Sequence, residues 1–179
     1  MNLLRIEKKT TVVYAMESLT NHAWLLTGSN LGNRQENLAT AATLLAQQAG
    51  VIKKISAVYE TAAWGITEQP VFLNQAIEIE TKLNAQQLLR KILKLEKIMG
   101  RVRKEKYGAR VIDIDILLFN EEIHHYPYLQ IPHPELQNRR FALIPLAEIA
   151  ADLVHPVYIK GISELLKACT DPLTVKKYS

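Results

Sequence analysis

Cysteine is almost missing: the 179-residue chain has one, Cys169. A lone thiol excludes an internal disulfide and any cysteine-based zinc site, and it suits a reducing compartment. No apolar run approaches the roughly 20 residues that span a bilayer. The opening stretch MNLLRIEKKTTVVYAMESL holds neither an apolar segment of signal-peptide length nor a small-residue cleavage site. A cytoplasmic protein without membrane contact is expected. Internal repeats and low-complexity segments are missing too. The familiar phosphate motifs are also lacking. GSNLGNRQ, residues 28–35, precedes a helix but has no Lys-Ser/Thr of a P-loop and no G-x-G-x-x-G spacing. By itself it reads as a tight strand-to-helix turn. No serine stands beside an identifiable base, so covalent catalysis has no evident nucleophile.

What is present is ordinary globular composition, 48% hydrophobic and 22% charged, enough for one domain with a sizeable core. The net charge of +4 points only weakly to an anionic partner, because surface lysines alone produce such a balance. HAWLLTGSN reads as a short buried strand. A helix follows from Asn33, with Glu36 at capping-box spacing, an apolar face of Leu38, Ala41, Ala42, Leu45 and Ala49, and Gly50 as its stop. VIKKISAVYET has the β-branched content of a strand. VFLNQAIEIET alternates with period two, placing Leu73, Ile77 and Ile79 on one face with Gln75. A second helix starts at Asn84 with Gln87 as capping partner, carries the stripe Leu88, Ile92, Leu95 and Met99, and stops at Gly100. VIDIDILLF is the next strand.

The order strand, helix, strand, strand, helix, strand predicts an α+β fold with a ferredoxin-like βαββαβ core and a mainly antiparallel sheet. Added C-terminal elements are a short strand near IHHYPYL, a Pro-rich turn at IPHPEL, and helices over RRFALIPLAEIA and ISELLKAC.

The chemistry concentrates where the basic loop meets the last core strand. Arg101, Arg103, Lys104, Lys106 and Arg110 crowd the ten residues before VIDIDILLF, whose Asp113 and Asp115 share one strand face. Ile112, Ile114, Ile116 and Leu118 are expected on the opposite, core side. Adjacent carboxylates repel unless a cation sits between them. Mg²⁺ suits that position, since it is shared between carboxylates and substrate phosphates. Arginine forks bind phosphate bidentately, and the loop has few apolar anchors, as a segment closing over a ligand would. Taken singly, the aspartates read as solvated residues on an edge strand and the loop as a solvated charged loop; together the features favour a metal–polyphosphate site. The competing class is a basic RNA-binding module. Such a module displays aromatics on its sheet, whereas this strand displays two acids.

In these residues the sequence resembles the 6-hydroxymethyl-7,8-dihydropterin pyrophosphokinases of folate biosynthesis. GSNLGN, YETAAWG with QPVFLNQA, EKIMGRVR, YGARVIDIDILLF and IPHPELQNRRFALIPLAEIA carry the likeness in order, from about Trp24 to Pro156. The resemblance implies transfer of pyrophosphate from ATP to the pterin hydroxymethyl oxygen, with release of AMP. It implies two Mg²⁺ ions on Asp113 and Asp115, and Arg101 and Arg110 as catalytic residues stabilising the transferring phosphates. ATP is expected to contact Arg101, Arg103, Tyr107, Arg110, His133 and Arg139, with Glu96 near the nucleotide and Ile116 near adenine. The pterin would meet Thr61, Ala62, Trp64, Phe72, Asn74, Asp113 and Phe141. Tyr107 stands where tryptophan is expected on a loop one residue shorter than in familiar members. Phe72, Ala62 and Pro134 replace common tyrosine, proline and tyrosine. None of these departures removes a charge the chemistry needs.

The expected partners are ATP and the dihydropterin, not nucleic acid; contact with other folate-pathway enzymes stays open, as does the proton acceptor for the pterin hydroxyl. Residues 1–22 read as an N-terminal extension before a single domain over 23–179. The extension is either an extra strand around TTVVYA or a tail from an upstream start, with Met16 the alternative initiator.

Overall fold

The computed structural model describes residues 20–63, 69–101 and 108–179. Trp64, Arg103 and Tyr107 lie outside the described residues, as does most of the expected extension.

The sheet is organised by β1 (Asn21–Ser29), in which every residue from Ala23 to Ser29 is buried. A strand so covered must have a packed layer on each face, and both layers are present. One is built from α1 (Arg34–Gln48) and α2 (Ala85–Ile98), which bring Leu38, Leu45, Leu88 and Leu95 against Leu25 of β1. The other is built from α3 (Arg140–Ala150) and α4 (Ile162–Ala168), which bring Leu143, Leu146 and Leu165 against Trp24 and Leu26. Each fully buried leucine contributes about 2 kcal/mol of apolar burial.

β1 pairs antiparallel with β4 (Phe72–Thr81) on one side and with β5 (Asp113–Phe119) on the other. β4 pairs in turn with β2 (Val51–Ile55) and β3 (Tyr59–Thr61). The single strand expected over VIKKISAVYET is thus two. At the break, Ser56 takes over the ladder, its N–H donating to the Ala76 carbonyl and its Oγ accepting the Ala76 N–H. The result is a mixed helix and antiparallel-sheet protein.

Both helix starts behave as their sequence indicates. Asn84 and Gln87 form a complete capping box, whereas Asn33 accepts the Glu36 N–H and Glu36 answers to the Asn33 side chain, not its backbone. The two glycine stops differ physically. Gly100 takes φ +85°, the left-handed turn that ends α2. Gly50 does not; a Cβ there would lie 2.2 Å from the Glu80 carbonyl oxygen, so its smallness admits β4.

One face assignment in β5 needs correction. Ile112, Ile114 and Ile116 do face α1 and α2, but Leu118 packs on the α3 side with Leu117. The register slips between Trp24–Leu118 and Leu25–Ile116. A bulge adds one residue and inverts the alternation beyond it.

Past β5, the short strand expected near IHHYPYL is a hairpin of β6 (His124–Tyr126) and β7 (Leu129–Ile131). Two further additions gave little signal: the hairpin of β8 (Val154–His155) and β9 (Lys160–Gly161), and β10 (Val175–Lys177), which extends the sheet beside β3. Strands of two or three residues are too short to show a period.

Candidate active site

Antiparallel pairing brings the end of β1, the starts of β4 and β5, and the end of β3 to one edge of the sheet. Asp113, Gly28 and Asn74 stand in one cross-strand row, with Asp115, Leu26 and Ala76 in the next. All face α3. Because adjacent strands lie about 4.8 Å apart, the outer members of the first row are about 10 Å apart. Between them Gly28 contributes no side chain; a Cβ there would sit 3.0 Å from Asn74 Oδ1 and 3.7 Å from a Phe72 ring carbon. The row therefore has a depressed floor with an acid at one end and an amide at the other. This floor belongs to a cleft of about 390 Å³.

One end of the cleft is neutral. Asn74 is buried and donates through Nδ2 to Thr61 Oγ1 at 3.0 Å, which fixes the amide and turns Oδ1 toward Gly28. Thr61, Ala62, Phe72 and Phe141 line the space around it.

The other end is densely charged. Arg101 Nη1 bridges Glu96 and Asp113, with 2.6 Å to Asp113 Oδ1. Arg110 Nη1 meets Asp113 Oδ2 at 2.5 Å. Each oxygen of Asp113 thus has its own guanidinium. Glu96 is buried and also accepts the Ile114 N–H at 2.8 Å. Burial raises its pKa above the ordinary glutamate range, while Arg101 and that N–H oppose the rise.

Among the described residues Asp115 has no ion pair of the kind that holds Asp113. Burial first, and then the Asp113 carboxylate, push its carboxyl up to about 7, with Arg139 opposing. His133 and Arg139 close this end. Arg139 Nη1 lies 3.3 Å from His133 Nε2, and its guanidinium sits 5.8 Å from the centre of the Phe141 ring. Burial, with help from Arg139, holds His133 down to about 4. At neutral pH it is an uncharged imidazole. Its Nδ1 accepts the Glu135 N–H at 3.2 Å, and Arg139 is a donor with no acceptor to offer. A neutral ring carries one N–H, and the guanidinium adds further donors, so this corner presents donors suited to an anion.

Arg101, Arg110, Asp113, Asp115, His133, Arg139, Thr61, Ala62, Phe72, Asn74 and Phe141 all line the cleft. Glu96 stands behind Arg101 instead of lining it, and Ile116 is buried in the α1–α2 core on the opposite sheet face. Sequence reasoning missed Leu26, Gly28, Pro134 and Glu135 as lining residues. It also missed Asn30, which is buried and receives the Arg110 N–H on its Oδ1 at 2.7 Å. Its signal was the GSN triplet at a strand end, which looked like an ordinary turn.

Among the described residues no group of three or more His, Cys, Asp or Glu side chains could hold a metal. Two carboxylates alone leave most of a coordination shell open, which fits an ion shared with phosphate oxygens and water.

Comparison with known proteins identifies the family. A family model described as 7,8-dihydro-6-hydroxymethylpterin-pyrophosphokinase (HPPK) matches residues 24–151. A 2-amino-4-hydroxy-6-hydroxymethyldihydropteridine pyrophosphokinase of Aquifex aeolicus is 44% identical over 137 residues, covering 76% of this chain and 85% of the relative. Its Bacillus subtilis counterpart is 44% identical over 132 residues, covering 73% and 79%. Among solved structures, an HPPK-DHPS in complex with substrates superposes with TM-score 0.69 at 16% identity, covering 83% of this chain and 43% of that one. A wild-type Plasmodium falciparum HPPK-DHPS with SDX-DHP gives 0.70 at 18% identity, with 84% and 44% covered. The chain spans less than half of either solved chain, and the likeness to them is one of fold.

Proposed function

The chain belongs to the 7,8-dihydro-6-hydroxymethylpterin-pyrophosphokinase family, and we propose that the cleft beside α3 is where it works. The protein is an ATP-dependent diphosphotransferase of folate synthesis: the pyrophosphoryl group of ATP passes to the hydroxymethyl oxygen of the dihydropterin. The observation that carries the site assignment is the row Asp113–Gly28–Asn74. It sets a flat, amide-ended pocket directly beside an acid pair and its arginines.

On this reading the pterin lies over Gly28. Asn74 Oδ1 accepts from an edge N–H, and the Phe72 and Phe141 rings supply the apolar contact that a flat heterocycle needs. Asp113 then stands next to the hydroxymethyl group. The triphosphate occupies the charged end, where Arg101, Arg110 and Arg139 offer fixed cationic donors and neutral His133 one N–H. Arg103, Tyr107 and Trp64 are proposed contributors on the family likeness alone; the Ile116 side chain lies in the α1–α2 core, which leaves its backbone for any contact with adenine. Glu96 acts by holding Arg101.

Two Mg²⁺ ions are proposed at Asp113 and Asp115. The residues fit: two neighbouring acids, one of them pushed up to about 7 by burial and by the other, are relieved by divalent charge. When bound, the ions neutralise charge on the phosphates and on the attacking oxygen. The chain's own part is alignment and electrostatics. Its side chains hold the pterin oxygen in line with the β-phosphorus and keep guanidinium groups at the departing and transferring oxygens.

The strand order β3–β4–β1–β5, with β2 also on β4, supports a ferredoxin-like core, and a single domain over residues 23–179 is proposed with it. No helix among the described residues is long and apolar enough to cross a membrane. Phosphorus NMR of a reaction containing ATP, Mg²⁺ and the hydroxymethyl dihydropterin tests the assignment. AMP with a pterin diphosphate is expected. ADP with a monophosphate would refute the pyrophosphokinase reading, and tight RNA binding without nucleotide turnover would favour the binding module.

A further inference from the structure

Asn30 does not line the cleft, yet it touches the supports of both ends. It lies just beyond β1 and is 2% exposed, so its amide must find partners inside the protein. It grips the Arg110 peptide from both sides: the Asn30 N–H donates to the Arg110 carbonyl at 3.2 Å, and Asn30 Oδ1 accepts the Arg110 N–H at 2.7 Å. The other half of the amide turns the opposite way. Nδ2 donates to the Pro70 carbonyl at 3.2 Å and to Gln69 Oε1 at 3.3 Å. Those residues lead directly into Phe72 and Asn74. The first residue of α1 reinforces the second hold, since Arg34 Nη1 donates to the Val71 carbonyl at 3.0 Å.

One planar side chain therefore joins the backbone that aims Arg110 at Asp113 to the backbone that presents the neutral pocket. A planar amide held by three hydrogen bonds, one on Oδ1 and two on Nδ2, ties the two backbones to one another. We propose that Asn30 is a positioning residue that couples the nucleotide and pterin halves of the site. When phosphate draws the Arg110 guanidinium, the Arg110 peptide stays registered through Asn30 to Pro70, and the pterin pocket is set at the same time. Coupling of this kind is reciprocal: each ligand tightens the other by the same factor. The inference rests on the site assignment above, because it needs both ligands in this cleft.

The test measures the affinity of 6-hydroxymethylpterin by its fluorescence, with and without Mg²⁺ and a methylene analogue of ATP. In the wild type the analogue is expected to tighten the pterin by about 10-fold or more, within the usual range of coupling. In Asn30→Ala the factor is expected to fall to within about 2-fold of unity, while nucleotide affinity alone changes by less than about 3-fold and the pterin KM rises by more than kcat falls. Asn30→Asp keeps an acceptor for the Arg110 N–H but cannot donate to Pro70, so it is expected to lose the coupling as well. A folded variant of either kind with wild-type coupling overturns the proposal. So does a parallel loss of both separate affinities with the coupling factor unchanged, which is the mark of a merely structural role.

Hydrogen exchange on the wild type gives an answer even where variants fail to fold. Pterin alone is expected to slow exchange of the Arg110 amide, and unchanged exchange refutes the link. A wild type that binds no pterin at all overturns the site assignment and the coupling with it, a failure visible before any variant is made.

Discussion

Asp115→Asn is expected to make the metal-free protein more stable while destroying its turnover. The Asp115 carboxyl is pushed from 3.8 up to about 7, so the folded state holds a proton that the unfolded chain has released. The consequence has a definite sign. Below pH 4 both states are protonated and the side chain costs nothing. From pH 4 to 7 the unfolded chain binds fewer protons than the folded one, so stability falls as pH rises, by about 1.4 kcal/mol per unit for one proton. Above pH 7 both are ionised and the cost is constant. Three units give a ceiling of about 4 kcal/mol, and water reaching the cleft edge reduces this to about 2. Asparagine keeps the shape of the neutral acid and removes the slope. At about 2–4 °C per kcal/mol for a chain of this size, the variant melts about 4–8 °C above the wild type at pH 8 in EDTA, and together with it below pH 4. Parallel melting curves for the two proteins between pH 4 and 8 would refute the argument, because they would mean that burial and Asp113 do not perturb Asp115.

Asp113→Ala removes the shared acceptor of two guanidinium groups and is expected to lower AMP release by about 10³-fold, with a circular-dichroism spectrum like the wild type. Gly28→Ala places a methyl 3.0 Å from Asn74 Oδ1; pterin KM should rise about 10-fold while the affinity for the ATP analogue, measured by calorimetry, stays put. Glu96→Ala strips both Arg101 and the Ile114 N–H of a buried partner and should cost about 3 kcal/mol in urea unfolding, with turnover falling too. Gly50→Ala drives a Cβ into the Glu80 carbonyl at 2.2 Å, far from the cleft; it should destabilise by about 3 kcal/mol or more and leave kcat of the folded fraction unchanged.

The fold was legible where a period or a cap signalled it. Asn84 with Gln87, the stripe on α2, and the alternation of β4 all rest on local chemistry that one stretch of sequence contains. The break between β2 and β3 was not legible, because Ser56 makes its substitute ladder to Ala76, twenty residues away. The bulge that carries Leu118 to the α3 side is likewise a property of the pairing with β1, not of VIDIDILLF. The site divides the same way. Asp113 and Asp115 announce themselves by standing in a strand where acids are scarce, and the resemblance supplied Phe72, Asn74 and Phe141. The GSN triplet marks Asn30 only as a turn residue, because its partners Arg110, Gln69 and Pro70 come from two other segments. Gly28 is equally silent, since its importance is the space it leaves for Asn74 and Phe72.

A basic loop feeding an acidic strand is a contradiction only when each is considered alone. In the cleft Arg101 lies between Glu96 and Asp113, and Arg110 takes the other Asp113 oxygen, so the acid and the cations satisfy one another. On the proposed roles, an arriving phosphate oxygen replaces Asp113 as acceptor for both arginines, and Asp113 is freed for a cation in the same event. No buried charge is stranded at any stage, which matters because leaving one unpaired costs about 3–5 kcal/mol. On the same roles Arg101 would keep its place, because Glu96, fixed by the Ile114 N–H at the start of the acidic strand, also pairs with it. The strand that displays the acids is thereby the strand that anchors the arginine, and phosphate recognition is registered against Asp113 and Asp115 through the backbone of β5.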